Sequence, residues 1–265
     1  MPHQNCELFR LLIYPEPIDI GHRTDFFGNG VSYFSIDQAH QSLTVTSKCR
    51  VSVSACPKPL PNLTVAWDEL AAKLKANPGP DLLDVVQFVF DSPSIKQFPA
   101  LKDYACASFS QGRPILEAVL DQTARIHRDF TYNPRATTIH TPVQEVFENR
   151  HGVCQDFAHL QIGCLRSLGL AARYVSGYLR TQPPPGKTRL IGADASHAWL
   201  SIYCGEAGWI DIDPTNNVVT STDHITVAWG RDYTDVCPIQ GIIVGGGDHR
   251  MSVSVDVAPT PQPIP

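Results

Sequence analysis

Three observations on the 265-residue sequence predict a fold in which strands and helices occupy separate stretches of the chain. Strand-forming residues are concentrated before residue 54, apolar residues recur at helical spacing between about 112 and 168, and a period of two returns after residue 170. The length suits one large domain or two modest ones.

Composition and charge narrow the classes of protein that fit. Apolar residues make up 43% of the chain and charged residues 18%, which is typical of a globular protein. The formal net charge is −5 and the basic residues are scattered, so we expect no nucleic-acid partner. No run reaches the roughly 18 apolar residues of a membrane span, and residues 1–7 lack the pattern of a secretory signal. We therefore expect no membrane association and a cytoplasmic location.

The first 60 residues predict a β-rich N-terminal domain. Strand-like runs cover residues 8–14, 31–36 and 43–53, and the third alternates valine with polar residues. Phe-Gly-Asn-Gly at residues 27–30 predicts a tight turn between strands, since glycine and asparagine tolerate positive φ angles. A proline-rich stretch at 57–61 then predicts a linker.

Helices are predicted after the linker. A connecting region over 61–110 contains two short helical runs, at 66–75 and 82–90. From about residue 112 apolar residues recur at helical spacing and predict a longer helix. A last helix is expected over 154–168, where a glycine follows and closes it.

The C-terminal part returns to strands. Period-two alternation predicts strands at 172–179, 195–203 and 208–212, and residues 190–191 suggest another short strand. A proline-rich connector at 181–186 follows the first of these. The predicted domains are 1–60, 61–110 and 111–257, followed by a disordered tail at 258–265.

The eight cysteines are predicted to be free thiols. No two of them have the C-x-x-C spacing of a zinc or redox site, and no signal sequence points to an oxidising compartment. Seven of them are interpreted as packing residues, because a free cysteine usually behaves as a small hydrophobic residue. The exception is Cys154.

Cys154 is the candidate nucleophile because of its predicted position. A glycine-containing turn at 150–153 leads into the last helix, so the sulfur lies in the first helical turn. The unpaired N–H groups there carry partial positive charge, which favours a thiolate and can stabilise an oxyanion. Asp156 is predicted to cap this helix. His151 and His159 flank the cysteine, but helix spacing directs Cys154 and His159 away from each other, which argues against a metal cluster.

His197 and Asp213 are the predicted partners of the thiol. In the strand at 195–203, His197 shares a face with Trp199 and lies opposite the apolar residues, so it is free to face a cleft. Asp213 follows in the next strand, and a turn at 205–208 joins the two strands into a hairpin. Such a hairpin can place a carboxylate on one ring nitrogen, which leaves the other to take a proton from the thiol. Trp199 is expected either to line the cleft or to pack in the core.

Three motifs in this order resemble the catalytic core of the transglutaminase-like superfamily over residues 142–217. They are Gly152-Val153-Cys154-Gln155-Asp156, Ser196-His197-Ala198-Trp199 and Trp209-Ile210-Asp211-Ile212-Asp213-Pro214-Thr215. The resemblance implies an α+β, papain-like core, in which a helix bearing the cysteine packs on an antiparallel sheet bearing the histidine and the aspartate. It assigns Cys154, His197 and Asp213 to a catalytic triad and implies an acyl-enzyme on the thiol.

Segments outside this core also resemble bacterial members of the superfamily. They are residues 25–29, 43–45, 229–238 and 245–249. Bacterial members carry further strands before the point where this chain begins, so the resemblance implies an N-terminal domain that is incomplete here. Gly245-Gly246-Gly247 precedes no lysine-bearing helix start, so a turn fits it better than a phosphate loop. Arg231 and Asp232 are interpreted either as residues of the cleft mouth or as a surface pair.

Two classes of function follow from these residues. The first is an enzyme that acts on a peptide, a protein or a small amide. It is a peptidase or amidase if water takes the acyl group, and a transglutaminase-type acyltransferase if an amine does. The second class is a non-catalytic module that binds peptides or proteins on the same fold, and the intact Cys154, His197 and Asp213 argue against it. We predict neither a metal nor another cofactor.

Overall fold

The computed structural model describes residues 3–55, 57–76, 79–181, 196–245 and 247–260. The predicted connector at 181–186 (apart from its first residue), the predicted short strand at 190–191 and the end of the predicted tail lie outside the described residues.

Four strands form the N-terminal region. They are β1 (Gln4–Tyr14), β2 (Asp19–Thr24), β3 (Gly30–Ser35) and β4 (Thr44–Val53). β1 pairs with β4 and β2 pairs with β3, both antiparallel. The sequence did not predict β2, and the positive φ angle expected between residues 27 and 30 is found at Gly28, where φ is 89°.

Six helices follow. They are α1 (Trp67–Ala76), α2 (Leu83–Val86), α3 (Pro99–Cys106), α4 (Ile115–Asp129), α5 (Val143–Asn149) and α6 (Cys154–Ser167). The short helix predicted over 82–90 is present as a mixed run, in which α2 lies between 3₁₀ turns at Pro80–Leu82 and Gln87–Val89. In the second of these turns, the carbonyl oxygen of Phe88 accepts a hydrogen bond from the buried Arg166 side chain at 2.9 Å. Within the described ranges, no helix is long and apolar enough to cross a lipid bilayer.

Seven further strands lie within the described residues. They are β5 (Thr131–Tyr132), β6 (His151–Gly152), β7 (Ala172–Leu179), β8 (Ser196–Tyr203), β9 (Trp209–Asp213), β10 (Val218–Val219) and β11 (His224–Gly230). The last five form an antiparallel sheet in the order β10-β9-β8-β7-β11. The first two form a short parallel pair.

Helix α6 lies at the centre of the core. Its residues are buried from Gln155 through Arg166, and its apolar side chains share one cluster with Leu200 and Ile212 of the sheet. Gly163 allows α3 to approach closely, because a Cβ at this position would lie 2.9 Å from a methyl group of Leu101. Since α6 is enclosed on all sides, its first residue is held in a fixed position against the sheet.

Two side-chain amides attach the N-terminal region to strand β11. Asn29 donates to the carbonyl oxygen of Trp229 at 2.8 Å and accepts from the Trp229 N–H at 3.0 Å. Gln4 makes the equivalent pair of bonds with the backbone of Thr226 at 2.7 and 2.9 Å. These amides complete the hydrogen bonding of an edge strand that would otherwise be open.

The seven described cysteines are free thiols, as the sequence predicts. Cys164 and Cys204 are buried, in line with a packing role. That interpretation is wrong for Cys6, Cys49 and Cys106, which are exposed because they lie on outward-facing positions of β1, β4 and the end of α3.

Candidate active site

Cys154 is the first residue of α6, and its side chain is partly buried. Asp156 caps this helix, because its Oδ2 accepts hydrogen bonds from the Val153 N–H at 2.8 Å and from Thr137 Oγ1 at 2.6 Å. Gly152 is required at its position, since a Cβ there would lie 2.7 Å from the Asp156 carboxylate. These contacts fix the backbone on both sides of the sulfur, and Asp156 has the capping role predicted for it.

A strand pair and an aromatic enclosure position the turn that precedes the cysteine. β5 pairs with β6, so that Tyr132 lies opposite Gly152. Arg150 adopts a left-handed conformation with φ of 57° at the end of α5. Its guanidinium lies 4.3 Å from the centre of the Phe147 ring and 4.7 Å from that of Phe130. Cation–π attraction to two rings therefore anchors the chain four residues before the sulfur.

Strands β8 and β9 bring His197 and Asp213 together. The strands pair with Leu200 opposite Ile212, which places the two polar residues on one face as diagonal neighbours. His197 Nε2 lies 2.8 Å from Asp213 Oδ2. Asp213 is fully buried, and the His197 side chain is 10% exposed. The structure thus contains the hairpin and the carboxylate–imidazole contact that the alternation predicts.

The Asp213 carboxylate accepts hydrogen bonds on both oxygens. Oδ1 accepts from the backbone N–H groups of Thr215 at 2.9 Å and Asn216 at 3.2 Å, and Oδ2 accepts from Asn216 Nδ2 at 2.7 Å. Burial alone would raise the pKa of Asp213. The hydrogen bonds from His197, His224 and Asn216 outweigh burial and hold this pKa well below its usual range. Asp213 is therefore charged at any pH at which the fold is intact.

The side chain of Cys154 lies close enough to His197 to contribute to the pKa of its ring. Because Nε2 of the ring contacts Asp213, Nδ1 is the nitrogen that remains for the sulfur. Burial lowers the pKa of His197, but the hydrogen bonds and charges of Asp213 and Cys154 outweigh burial and raise the pKa to about 9. A protonated His197 ring is therefore the state that these surroundings favour at neutral pH. The structure brings all three predicted residues together.

A second histidine contacts the same carboxylate, and sequence reasoning missed it. His224 is buried at the start of β11, with Nε2 3.2 Å from Asp213 Oδ2. In the sheet, β8 and β7 lie between β9 and β11, so the contact spans two intervening strands. Alternation within one strand does not reveal such a contact. The available signal is a histidine at a strand start shortly after the aspartate.

Trp199 packs beneath the histidines and does not line the cleft. It is fully buried, and its Nε1 donates a hydrogen bond to Asp211 Oδ2 at 3.1 Å. Its ring centre lies 6.1 Å from that of His197 and 5.3 Å from that of His224. Gly177, opposite His197 on β7, leaves room for the indole, because a Cβ there would collide with it. Of the two predicted roles for Trp199, the structure shows core packing.

Arg231 and Asp232 adopt neither of the predicted arrangements. Arg231 pairs with Asp235 at 2.8 Å. Asp232 turns inward, is fully buried, and accepts from the N–H groups of Ser94 at 2.7 Å and Thr234 at 2.9 Å. Its carboxylate thus closes the turn that follows β11, away from the cleft mouth.

His197, Asp213 and His224 also form a cluster whose possible ligand atoms lie within 4.8 Å of one another. In the structure, the carboxylate oxygen and the two Nε2 atoms are joined by hydrogen bonds of 2.8 and 3.2 Å. The atoms that would bind a metal are thus hydrogen-bonded to one another. The donor set therefore fits a hydrogen-bonded cluster better than a metal site.

The fold and this geometry define a class of protein. It has an α+β, papain-like fold in which a helix presents a thiol to a sheet that carries an imidazole and a carboxylate. This chain belongs to the transglutaminase-like superfamily. Its residues 104–214 match that family, and residues 1–52 match the bacterial transglutaminase-like N-terminal region.

Several bacterial proteins are similar to this chain, and some of them match it over most of its length. Uncharacterized proteins of Mycobacterium tuberculosis and Mycobacterium bovis are 44% identical over 263 residues, which is 97% of this chain and 82% of each relative. A protein-glutamine gamma-glutamyltransferase of Pseudomonas aeruginosa is 30% identical over 120 residues, 45% of this chain and 18% of that enzyme.

A solved structure confirms the fold. A presumed cysteine protease from Cytophaga hutchinsonii superimposes with a TM-score of 0.65 and covers 89% of this chain and 74% of its own, at 24% sequence identity. The predicted transglutaminase-like core with a β-rich N-terminal region is thus the fold that this chain adopts.

Proposed function

We propose that this protein cleaves an amide or peptide bond through an acyl-enzyme on Cys154, with water as the final acceptor. It would then be a peptidase or amidase, with a peptide, a protein or a small amide as substrate. The observation that carries the proposal is the buried His197–Asp213 hydrogen bond of 2.8 Å beside Cys154, the first residue of α6.

In the proposed reaction, the thiolate of Cys154 attacks the carbonyl carbon and forms a carbon–sulfur bond. The N–H groups at the start of α6 stabilise the negative charge that develops on the carbonyl oxygen. The His197 imidazolium then gives its Nδ1 proton to the leaving amine as the carbon–nitrogen bond breaks, and a thioester remains. His197 next takes a proton from water, which attacks the thioester, so that the carbon–sulfur bond breaks and the carboxylic acid and the Cys154 thiolate are released.

Asp213 supports both steps without reacting. Its charge stabilises the imidazolium, and its contact with Nε2 keeps Nδ1 directed at the sulfur. A raised pKa of His197, about 9, means that the proton needed by the leaving amine is in place at neutral pH.

Capture of the acyl group by a primary amine is the second candidate. The likeness to the Pseudomonas aeruginosa protein-glutamine gamma-glutamyltransferase supports it. Water is always present at a partly open site, whereas an amine has to be held beside the thioester. Hydrolysis is therefore the simpler outcome of the same intermediate. A non-catalytic binding module is disfavoured, since it would not need the His197–Asp213 contact.

A substrate screen tests this proposal. The purified protein is incubated with a library of peptides and amides, with and without a primary amine, and products are identified by mass spectrometry. Hydrolysed products, lost in Cys154→Ala and in Cys154→Ser, support the peptidase or amidase. Amine adducts lost in the same variants support the transferase. Undiminished turnover by Cys154→Ala would exclude both.

A further inference from the structure

We propose that His224 is a positioning residue of this site. It donates its Nε2 hydrogen to Asp213 and thereby weakens the electrostatic attraction between that carboxylate and the His197 imidazolium. The inference rests on the proposed function only for its effect on turnover. The hydrogen bond itself and its effect on His197 can be measured without a substrate.

The ring of His224 is held so that its hydrogen lies on Nε2. Its Nδ1 accepts a hydrogen bond from the backbone N–H of Ser221 at 3.2 Å. An accepting Nδ1 has no hydrogen, so the neutral ring carries its hydrogen on Nε2. That nitrogen lies 3.2 Å from Asp213 Oδ2, the same oxygen that contacts His197 at 2.8 Å.

The surroundings of His224 keep this orientation. The residue is 7% exposed, and Trp199 packs against its ring at 5.3 Å with an interplanar angle of 85°. The indole reaches His224 across β7 because Gly177 has no side chain in its path. The imidazole of His224 is therefore fixed by a hydrogen bond at one edge and by an aromatic ring at its side.

His224 differs from the other donors to Asp213 in where it is anchored. Thr215 and Asn216 belong to the turn directly after Asp213 and move with it. His224 belongs to β11, and two strands separate it from β9. Its hydrogen bond thus ties the carboxylate to the far edge of the sheet.

Charge sharing gives this hydrogen bond a consequence for catalysis. Oδ2 of Asp213 accepts from both histidines, so the N–H dipole of His224 offsets part of the charge that His197 experiences. Without that dipole, the carboxylate would hold the proton of the His197 imidazolium more tightly. The leaving amine would then receive this proton more slowly.

The other charged groups near these rings stay in place when His224 is replaced. Cys154 faces His197 from α6, and Asp211 lies beyond the Trp199 indole. At the start of β11, Asp223 pairs with Arg180. None of these depends on the His224 Nε2 hydrogen, so a change in the titration of His197 reports the loss of that hydrogen bond.

The first measurement uses the unaltered protein. The ¹⁵N chemical shifts of the His224 ring at pH 7.5 report which nitrogen carries hydrogen. The proposal requires a hydrogen on Nε2 alone. A ring with its hydrogen on Nδ1, or with hydrogens on both nitrogens, would overturn it.

The second measurement compares variants by NMR titration of the His197 ring. His224→Phe keeps an aromatic ring but removes the donor, and His224→Gln places an amide N–H near the original one. Thr226→Val, at another buried position of β11, controls for general disturbance of the strand. Circular dichroism verifies that each variant is folded.

We expect His197 to titrate about half a pH unit or more higher in His224→Phe, since a hydrogen bond to a charged carboxylate contributes at least that much. The titration should return toward the original value in His224→Gln and stay unchanged in Thr226→Val. An unchanged titration in His224→Phe, or an equal shift in Thr226→Val, would overturn the proposal.

Turnover separates this inference from the proposed function. If a substrate is found, His224→Phe should lower kcat several-fold with little change in KM. The alkaline limb of the pH–rate profile of this variant should move to higher pH. If the titration shifts as expected and no substrate is turned over, the role of His224 stands and the proposed function fails. If turnover depends on Cys154 while the titration of His197 does not move, the proposed function stands and the role of His224 fails.

Discussion

The charge on His197 determines what Cys154 can do. A buried imidazole would ordinarily lose its proton near or below neutral pH, yet the carboxylate of Asp213 and the sulfur of Cys154 raise its pKa to about 9. The proton that the leaving amine needs is therefore held beside the nucleophile over the whole physiological range. In the proposed reaction, the acid is thus already protonated before substrate binds.

Replacing Asp213 with asparagine tests the source of this charge. Asp213→Asn removes the negative charge next to Nε2, so the pKa of His197 should fall and turnover should drop by about 10²-fold or more. The alkaline limb of the pH–rate profile should move to lower pH. Asp211→Asn is the matched control, because Asp211 lies on the same face of β9 but contacts Trp199. An Asp213→Asn variant with the profile of the unaltered protein would contradict the assignment.

The proposed roles of His197 as acid and of Cys154 as nucleophile should separate at alkaline pH. Above about pH 9 the His197 imidazolium loses its proton, so kcat/KM should fall because the leaving amine is no longer protonated. Alkylation of Cys154 by iodoacetamide needs no acid and should not fall over the same range. Parallel pH profiles of turnover and alkylation check this, and a common alkaline fall in both would argue against His197 as the acid.

At the scale of strands and helices, local patterns predict part of the site. The alternation around His197 and Asp213 places both on one face of a hairpin, and the structure shows that contact at 2.8 Å. The helix start at Cys154 is likewise a local signal, carried by glycine before it and Asp156 after it. His224 was missed because its contact depends on strand order across the sheet, which no local pattern contains.

Gly177 should be the glycine of the sheet least tolerant of substitution. A methyl group there would collide with the Trp199 indole and with the carbonyl oxygen of Ile225. We expect Gly177→Ala to lower the free energy of unfolding by roughly 2–3 kcal/mol and to reduce turnover, because the indole supports both histidines. Gly30→Ala is the control, since no atom lies within 4 Å of the added methyl. Urea denaturation measures the difference, and equal stabilities for the two variants would refute the packing argument.

A buried polar network joins distant parts of the whole molecule. The Arg166 guanidinium donates to the carbonyl oxygens of Arg231 at 2.6 Å and Phe88 at 2.9 Å, which links α6 to the segment after β11 and to the connecting region. Two turns earlier, His159 accepts a hydrogen bond from the Tyr233 N–H at 3.1 Å. None of these partners is close in sequence, so the alternation and periodicity of single elements did not predict the network.

This network should make the folded protein sensitive to acid. Burial lowers the pKa of His159 to about 4, while the unfolded chain takes up a proton near pH 6.5. The unfolded state therefore binds more protons below pH 6.5, and stability falls as the pH drops toward 4. We expect a decrease in Tm on the order of 5 °C between pH 7 and 4.5 from this residue. His159→Gln should show a smaller decrease by calorimetry, and the exposed control His249→Gln should not. Equal decreases in all three proteins would contradict this origin.

Selective alkylation of Cys154 tests the central claim most directly. The protein is treated briefly with iodoacetamide at pH 6, and peptide mapping by mass spectrometry gives the rate at each cysteine. Burial raises the pKa of Cys164 and of Cys204 to about 12, so both should stay unmodified. Cys6, Cys49 and Cys106 are exposed and serve as internal references. We predict that the partly buried Cys154 reacts at least tenfold faster than these three, and that His197→Ala removes this advantage. A Cys154 that reacts no faster than the exposed thiols would contradict the thiolate–imidazolium pair on which the proposed chemistry depends.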